Sequence, residues 1–443
     1  MRFLADMSKA EMESWAERSG LPAYRGRQIF SWIGRGAACF GEMTDIPASL
    51  RDALERGRAT VAGAGGEAGA GAHGAAGADA LDAATGAGDS GAPGAAAGAA
   101  GVAAMAAPGA SVDPGASAAP KSNVSFGWPG LADARGAASA TGAAWAGGAD
   151  VAAGGTGIPA IAGVYPSRRD ETVKYAFRTW DGNIIESVLM KYRHGYTACV
   201  SSQAGCRMGC AFCASVPAAF SRSLSPGEML GQVAAIGRAS GAPVSRVVVM
   251  GIGEPFDNYD STLKFAALLH EHGEIGIGYR KLTISTCGHL PGIRRLAGEG
   301  LPIGLSVSLH APNDAIRSSL MPINRKYSID KLIEGCKIYT YATKRRITFE
   351  YALIGGVNDS PGSARELAGR LRGMLCHVNL IPVNRTERSA FAPPPGSVVS
   401  AFADALRRGG IEATVRRELG ADVMAACGQL RNSLPGGAPG NGL

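Results

Sequence analysis

Short apolar runs and longer segments of helical periodicity alternate through the second half of the chain. The apolar runs are typical of buried strands, and we predict strands at residues 197–201, 246–251, 281–285, 303–309, 347–353 and 377–381. Helical patterns lie between them. The one at residues 225–238 opens with Ser225, Pro226 and Glu228, a capping box with proline at the first position. This alternation predicts an α/β fold with a parallel sheet or barrel, whose functional residues lie at the carboxyl ends of the strands.

Other patterns flank this alternation. Residues 172–192 are rich in β-forming residues on both sides of Asp181-Gly182, which predicts a hairpin. Near the C terminus we predict a helix at residues 397–408, a strand at 413–417 and then a glycine-bounded loop that carries Cys427.

The first 61 residues are predicted to form a small helical domain. Ser8 and Glu11 make a capping box before an amphipathic run that Gly20 ends, and further helices are predicted at residues 24–33 and after Pro47. Its predicted outer surface carries arginines: Arg25, Arg27, Arg35, Arg51, Arg56 and Arg58. They fit either an ordinary solvated surface or an accessory surface that docks RNA.

The composition changes over residues 62–163, which are dominated by Gly and Ala. Gly is entropically costly to order and Ala buries little area, so this stretch cannot build a core, and we predict a disordered, flexible insertion. It contains seven acidic and two basic residues, a net charge of −5, so the rest of the chain carries +12 although the whole chain carries +7. That excess favours a polyanionic partner.

The apolar runs and the cysteines indicate the cellular compartment of the protein. No apolar run reaches transmembrane length, and the first residues lack the basic-then-apolar order of a signal peptide. With nine cysteines, of which several form a metal-type cluster, we expect a reducing, cytoplasmic environment. Cys39, Cys287, Cys336 and Cys376 are interpreted as buried small hydrophobic residues.

Three other cysteines, Cys206, Cys210 and Cys213, lie in a Cys-x3-Cys-x2-Cys spacing. Thiolates are preferred ligands of iron–sulfur clusters and of zinc. A cubane cluster held by three cysteines keeps one iron open, whereas structural zinc sites close all four positions with protein ligands. The spacing favours an open iron–sulfur cluster and leaves zinc, or three incidental thiols, as alternatives.

This spacing, with Phe212 before the last cysteine, resembles the signature of the radical S-adenosylmethionine (SAM) enzymes. The resemblance implies a [4Fe-4S] cluster whose open iron chelates SAM, and cleavage of SAM by one electron to a 5′-deoxyadenosyl radical. Residues 249–255 read Val-Met-Gly-Ile-Gly-Glu-Pro, an apolar strand that runs into glycines and a carboxylate. They resemble the Gly-Glu-Pro element that holds the amino group of SAM.

More specific phrases follow, with LTISTCG at residues 282–288, SVSLHAPND at 306–314, MPINRKY at 321–327 and HVNLIPVN at 377–384. Together they closely resemble the dual-specificity adenine-C2 methyltransferases of 23S ribosomal RNA and transfer RNA. The resemblance covers residues 1–60 and about 165–435. It implies a partial (β/α)6 barrel as the catalytic core at residues 164–435, followed by a flexible tail at 436–443. It also implies methylation of adenine 2503 in 23S rRNA and of adenine 37 in tRNA.

Site residues follow from the same resemblance. Cys206, Cys210 and Cys213 match the cluster ligands. The positions that contact SAM are matched by Gly253, Glu254, Ser285, Ser308, Leu309, His310 and Asn384.

The resemblance also assigns three reacting residues. Cys427, in DVMAACGQL, matches the cysteine that receives a methyl group, Cys199 its resolving partner and Glu186 the proton acceptor. C2 of adenine is electron-poor, so plain displacement from the SAM sulfonium is not available. A methyl group on Cys427 can instead lose a hydrogen atom and add to C2. Proton removal by Glu186 and attack of Cys199 on the Cys427 sulfur then release the methylated RNA. Without the resemblance, the two cysteines are interpreted as buried thiols and Glu186 as an exposed strand residue.

Basic clusters recur near predicted element ends and suit phosphate contacts. They are Arg280-Lys281, Arg325-Lys326, Lys344-Arg345-Arg346, Arg407-Arg408 and Arg416-Arg417. The resemblance implies 23S rRNA and tRNA as substrates, an electron donor such as flavodoxin or ferredoxin, a dithiol reductant, no membrane partner and a monomeric protein. Two alternatives stay open: a relative that methylates C8 of the same adenine, and a non-catalytic, metal-bearing RNA-binding protein.

Overall fold

The structure is a computed structural model that describes residues 3–55, 155–215, 219–384 and 390–430. The predicted insertion at residues 62–163 lies mostly outside these ranges, as does the predicted tail at 436–443. Residues 155–163 are described, and the structure does not place them in an insertion. Thr156 and Ile158 are buried, and a strand begins at Ala160. The predicted boundary at residue 163 was therefore too late, because a stretch that resembles the insertion in composition pairs with a neighbouring strand.

Helices form at the N terminus as predicted: α1 (Lys9–Arg18), α2 (Ala23–Gly34) and α3 (Ala48–Glu55). The capping box of α1 is present, with Glu11 N donating to Ser8 Oγ at 3.2 Å and Ser8 N donating to Glu11 Oε2 at 2.7 Å. Helices α1 and α2 cross closely. A Cβ at Gly26 would lie 2.5 Å from the Met12 carbonyl oxygen, so only glycine fits this crossing.

The rest of the described chain forms one long sheet, a short ribbon and the helices that pack on the sheet. The strands are β1 (Ala160–Pro166), β2 (Val173–Arg178), β3 (Ile184–Tyr192), β4 (Gly195–Val200), β5 (Gln203–Ala204), β6 (Arg222–Ser223), β7 (Val244–Val249), β8 (Leu282–Thr286), β9 (Gly304–Ser308), β10 (Ile347–Leu353), β11 (Cys376–Pro382) and β12 (Ala413–Val415). The helices are α4 (Pro226–Ser240), α5 (Tyr259–Glu271), α6 (Leu290–Gly298), α7 (Asp314–Leu320), α8 (Ile329–Thr343), α9 (Pro361–Leu371) and α10 (Gly396–Arg408).

The parallel part of the sheet runs in the order β4-β7-β8-β9-β10-β11-β12. Each strand before β12 is followed by at least one helix, which gives a partial (β/α)6 barrel with β12 at its edge. This fold confirms the prediction. Because the strands are parallel, their carboxyl ends meet at one rim.

An antiparallel extension, β1-β2-β3, continues the sheet beyond β4. The predicted hairpin is β2–β3, and its turn contains Asp181-Gly182, with Gly182 at a φ of 82°. Strand β1 was not predicted. It pairs with β2 from Ala160 opposite Arg178 to Pro166 opposite Val173.

The N-terminal helices and the barrel share one hydrophobic core. Gly227 N, at the start of α4, donates to Asp6 Oδ1 at 2.8 Å. The rings of Phe30 and His272 stack at 3.7 Å, and burial lowers the pKa of His272 to about 4, so this histidine is neutral. None of the helices in the described ranges combines the length and apolarity that a membrane span requires.

Candidate active site

A cavity of about 320 Å³ lies at the carboxyl rim of the barrel, where a parallel fold places its site. It brings together residues that are far apart in the sequence, from Val188 to Leu430. Its walls include most of the predicted site residues: Cys199, Cys206, Cys210, Cys213, Gly253, Glu254, Ser285, Ser308, His310, Asn384 and Cys427. Leu309 and Glu186 do not line it.

The three clustered cysteines lie on the loop between β5 and β6, half-buried at the cavity wall. Main-chain bonds hold this loop in place: Ala211 N donates to Leu320 O at 2.9 Å, and Ala214 N donates to Gly428 O at 2.7 Å. Burial raises the pKa of the Cys206 thiol to about 11. At neutral pH such a thiol keeps its proton unless a metal replaces it.

The cysteine arrangement fits a cluster better than a single ion. The ligands of one zinc converge within about 2.3 Å of one point. In the ranges that the structure describes, no group of three or more His, Cys, Asp or Glu residues is arranged to hold a metal ion. In a cubane each cysteine binds a different iron, so thiols spaced around a cavity wall meet its requirement. Three cysteine thiols on one loop at the cavity wall are thus a ligand set that an iron–sulfur cluster can use.

The loop after β7 contributes Gly253 and Glu254. Gly253 has a φ of 114°, and a Cβ there would lie 2.7 Å from both Gln203 Cβ and Ser202 Oγ, so glycine is required. The Glu254 carboxylate accepts from Phe256 N at 3.0 Å and from Cys287 N at 2.7 Å. Burial raises the pKa of Glu254, and the hydrogen bonds from Cys287 oppose that rise. The result is a fixed acceptor at the cavity wall, suited to an amino group.

His310, at the end of β9, has a φ of 57°, a conformation that costs about 1–3 kcal/mol in a residue with a side chain. Its Nδ1 accepts from Ala352 N at 2.8 Å, and its ring meets Phe212 edge-on at 4.8 Å. Burial lowers the pKa of His310 to about 3, so the ring is neutral. Because Nδ1 accepts a hydrogen bond, the ring proton sits on Nε2. His310 can therefore act as a donor at the cavity.

Leu309 and Glu186 lie away from the cavity wall. Leu309 is fully buried in the main core, and its N–H donates to Glu350 O at 3.0 Å. Glu186 is on the same face of β3 as Val188 and Met190, which do line the cavity, and it lies about 7 Å along the strand from Val188. Its side chain is 1% exposed, so the interpretation as an exposed strand residue was wrong.

The two other reactive cysteines lie at the same cavity. Cys199, on β4, is opposite Val188, while Cys427 follows a loop with Gly420 and Met424 at positive φ. Burial raises the pKa of Cys199 to about 12. Burial also raises the pKa of Cys427, but the Arg416 guanidinium, whose Nη1 donates to Cys427 Sγ at 3.0 Å, opposes that rise.

Arg416 and Glu350 were not recognised as site residues from the sequence. Arg416 was interpreted as half of a basic pair that contacts phosphate. Both arginines line the cavity, but the Arg416 guanidinium donates to Cys427 Sγ, while Arg417 is exposed. Glu350 is a buried carboxyl group on β10 that accepts from Ser306 Oγ at 3.1 Å and Asn379 Nδ2 at 2.8 Å. A carboxylate inside a predicted buried strand was the available signal for Glu350. Nothing local distinguishes Arg416 from Arg417.

Family models match two parts of the chain. The model described as the radical SAM superfamily matches residues 200–367, which contain the cysteine loop and most of the cavity wall. The model described as the ribosomal RNA large subunit methyltransferase N-terminal domain matches residues 3–59.

Whole-chain comparisons agree with the family models. The chain is 52% identical over 274 residues, 62% of this chain and 78% of the relative, to a probable dual-specificity RNA methyltransferase RlmN of Clostridium tetani. It is 52% identical over 265 residues, 60% of this chain and 76% of the relative, to the protein of the same name from Desulforamulus reducens. The crystal structure of a radical SAM methyltransferase from Sphaerobacter thermophilus matches with a TM-score of 0.73 and 36% identity, covering 98% of this chain and 100% of that one.

Proposed function

Since this chain belongs to the RlmN family of dual-specificity RNA methyltransferases, we propose that it methylates C2 of adenine 2503 in 23S rRNA and of adenine 37 in tRNA. The enzyme is a SAM-dependent RNA methyltransferase of the radical SAM superfamily, with a [4Fe-4S] cluster as its second cofactor. The observation that carries the finer proposal is that Cys199 and Cys427 line the same cavity as Cys206, Cys210 and Cys213. A cofactor cleft alone would not need two further thiols.

Cofactor binding is assigned to one group of side chains. Cys206, Cys210 and Cys213 would hold the cluster. When bound, the cluster and SAM supply hydrogen-atom abstraction and the methyl group. The SAM contacts are assigned to Gly253, Glu254, Ser285, Ser308, Leu309, His310 and Asn384. The Leu309 side chain lies in the core, so a contact between Leu309 and SAM would have to involve its main chain.

Methyl transfer is assigned to the two other cysteines. Cys427 accepts a methyl group, and the adjacent Arg416 guanidinium favours the thiolate that this step needs. After the methyl carbon has bonded to C2, the adduct loses one electron, for which the oxidised cluster would be the acceptor, and the C2 proton. The Cys199 thiolate then attacks the Cys427 sulfur. The S–S bond forms as the S–C bond breaks, the electron pair of the S–C bond stays on the methylene carbon, which takes up a proton to become the methyl group, and the methylated RNA leaves. A dithiol must then reduce the disulfide before the next cycle.

Proton removal is assigned to Glu186. Its carboxylate takes the proton of C2, and the electron pair of the C–H bond stays with the adduct. Reaching C2 requires the adenine to leave its stack, so the cavity has to admit a flipped base. The assignment is supported by strand position, since Glu186 lies on β3 two residues from Val188, which is opposite Cys199.

RNA binding is supported by charge. Exposed basic residues at element ends, such as Arg280, Lys281, Arg325, Lys326 and Arg417, suit phosphate contacts. We further propose a cytoplasmic monomer that receives electrons from a flavodoxin- or ferredoxin-type donor and is reset by a cellular dithiol.

Anaerobic reconstitution with iron, sulfide, SAM and a 23S rRNA fragment tests the proposed function. Mass spectrometry of the digested RNA is expected to show 2-methyladenosine at one adenosine. 8-Methyladenosine would instead identify a C8 methyltransferase. Unmethylated RNA together with an absence of 5′-deoxyadenosine would contradict catalysis altogether.

A further inference from the structure

A buried ion pair lies in the antiparallel extension beside the cavity. Lys174 Nζ on β2 is 3.0 Å from Glu186 Oε1 on β3, and the two side chains are 5% and 1% exposed. Lys174 Nζ also lies 5.4 Å from the centre of the Tyr165 ring on β1. Burial, and secondarily the charge of Glu186, raises the pKa of Tyr165, so this tyrosine is neutral.

Strand pairing connects this ion pair to a reacting cysteine. Tyr165 is opposite Lys174, Lys174 is opposite Val188, and Val188 is opposite Cys199. Directly opposed residues have their side chains on one face of a sheet. The four residues therefore form a row across β1–β4, and the two at its inner end, Val188 and Cys199, line the cavity. Glu186 lies on the same face, two residues before Val188.

Stability alone does not explain a charged pair at this position. Removing two charges from water costs several kcal/mol per ion, and apolar residues of similar volume often serve as well or better. The hairpin does not need the pair for its register, because β2 and β3 already pair from Val173 opposite Leu189 to Arg178 opposite Ile184. A function that requires an ionised carboxylate accounts for the pair better.

We propose that Lys174 is a positioning residue for the proton transfer, which holds Glu186 in the ionised form and in one orientation. This inference rests on the proposed function. During the step the C2–H bond breaks, its electron pair stays with the adduct, and an O–H bond forms on Glu186. Lys174 remains an ammonium throughout, keeps its ion pair with Glu186 and exchanges no proton. Titratable groups near Glu186 include Lys174 on β2 and Tyr165 on β1, while Cys199 on β4 is opposite Val188, two residues along β3.

Single-turnover reactions of Lys174→Met, Lys174→Arg and Glu186→Gln with an rRNA fragment test the inference. Lys174→Met is expected to carry methylated Cys427 as the wild type does and to form the covalent protein–RNA complex, seen on a denaturing gel. It should resolve that complex about tenfold to hundredfold more slowly, which is at or below the lower end of the 10²–10⁴ that a positioned base contributes. The acid limb of its pH profile should move to higher pH, because loss of the ammonium makes the ionised carboxylate less favourable. Lys174→Arg keeps the charge and should restore most of the rate.

A double variant separates a positioning role from a structural one. Lys174→Met adds no further slowing in a Glu186→Gln background if Lys174 acts through Glu186. The double variant also removes both buried charges, so neither is left unpaired to impair folding. Wild-type rate and pH profile in Lys174→Met would overturn the inference. So would an additional slowing in the Glu186→Gln background, or a rate defect with an unmoved pH profile that arginine does not rescue. A wild-type protein that neither methylates Cys427 nor bonds to RNA would instead refute the proposed function.

Discussion

The polar side chains on two walls of the cavity are held in place by different partners. On the binding wall (Glu254, Ser285, Ser308 and His310), main-chain N–H groups hold the Glu254 carboxylate and the His310 ring. Both Glu254 oxygens accept main-chain N–H groups, and His310 Nδ1 accepts from Ala352 N. On the reaction wall (Cys199, Arg416 and Cys427, with Glu186 behind it on β3), charged side chains contact the reacting groups. Arg416 contacts the Cys427 sulfur, and Lys174 contacts Glu186.

This difference matches the two tasks of the site. A cofactor that binds and leaves needs a preorganised surface that does not change, and main-chain hydrogen bonds provide one. Residues that exchange a proton or a methyl group change their charge during the reaction. They need partners whose own charge compensates that change. Variants should therefore distinguish the two walls. Loss of cofactor binding should prevent all chemistry, whereas changes at the reaction wall should stop it at an intermediate.

The largest effect is expected at the cluster. Cys210→Ala removes one of three assigned ligands and should abolish SAM cleavage, whereas anaerobic wild-type protein should contain about four irons per chain. Iron and sulfide analysis with chromatography of 5′-deoxyadenosine measures both quantities. Cys336→Ala, a buried cysteine on α8 away from the cavity, is the matched control. Tight binding of one zinc without sulfide by anaerobically purified protein would contradict the assignment.

Turnover should also stop in Cys427→Ala and Cys199→Ala, but at different stages. Cys427→Ala is expected to load the cluster and accept no methyl group. Cys199→Ala should carry a methyl group on Cys427 and then accumulate a covalent protein–RNA complex, because no thiol is present to displace the carbon. Denaturing gels and peptide mass spectrometry distinguish the two stages. Turnover by both variants would show that these cysteines are structural.

A smaller effect is expected from Arg416→Met. The guanidinium lowers the pKa of Cys427 against the rise caused by burial, so its loss raises that pKa and leaves less thiolate at any pH below it. Each unit of pKa reduces the thiolate about tenfold, and alkylation of Cys427 in metal-free protein should slow accordingly. Mass spectrometry of the Cys427 peptide across a pH series measures the shift. Arg416→Lys should retain most of the reactivity, and an unmoved pH curve for the methionine variant would exclude this electrostatic role.

The smallest effect is expected from a deletion that removes no residue of either wall. Replacing residues 62–154 with a short Gly/Ser linker should leave methylation within about tenfold, or roughly 1.4 kcal/mol in the barrier, because their composition cannot supply a core. The deletion must not continue to 163. Thr156 Oγ1 donates to Ala37 O at 3.1 Å, and β1 carries Tyr165 and pairs with β2. Equal activity and melting temperature in the longer deletion would show that β1 contributes nothing.

Local patterns were sufficient for much of the fold. Apolar runs predicted the parallel strands to within a few residues, and Ser8 and Ser225 with their glutamates predicted two helix starts. These features depend on hydrogen bonds and side-chain contacts within a few residues, which a sequence records directly. Strand β1 escaped prediction because its pairing partner, rather than its Ala- and Gly-containing sequence, makes it a strand.

For the site, the sequence by itself determined the chemistry of the cysteine loop and of the Gly-Glu-Pro segment, since spacing and residue type decide what can bind there. Only the tertiary structure decided which distant residues act together. Arg416 and Arg417 are neighbours of the same type and both line the cavity, yet Arg416 donates to the Cys427 sulfur while Arg417 is exposed. Lys174, Glu186 and Cys199 likewise lie on one face through strand register. Register is set by cross-strand hydrogen bonds and by burial of one face of the sheet. Neither can be read from the residues that flank Lys174, Glu186 or Cys199 in the sequence.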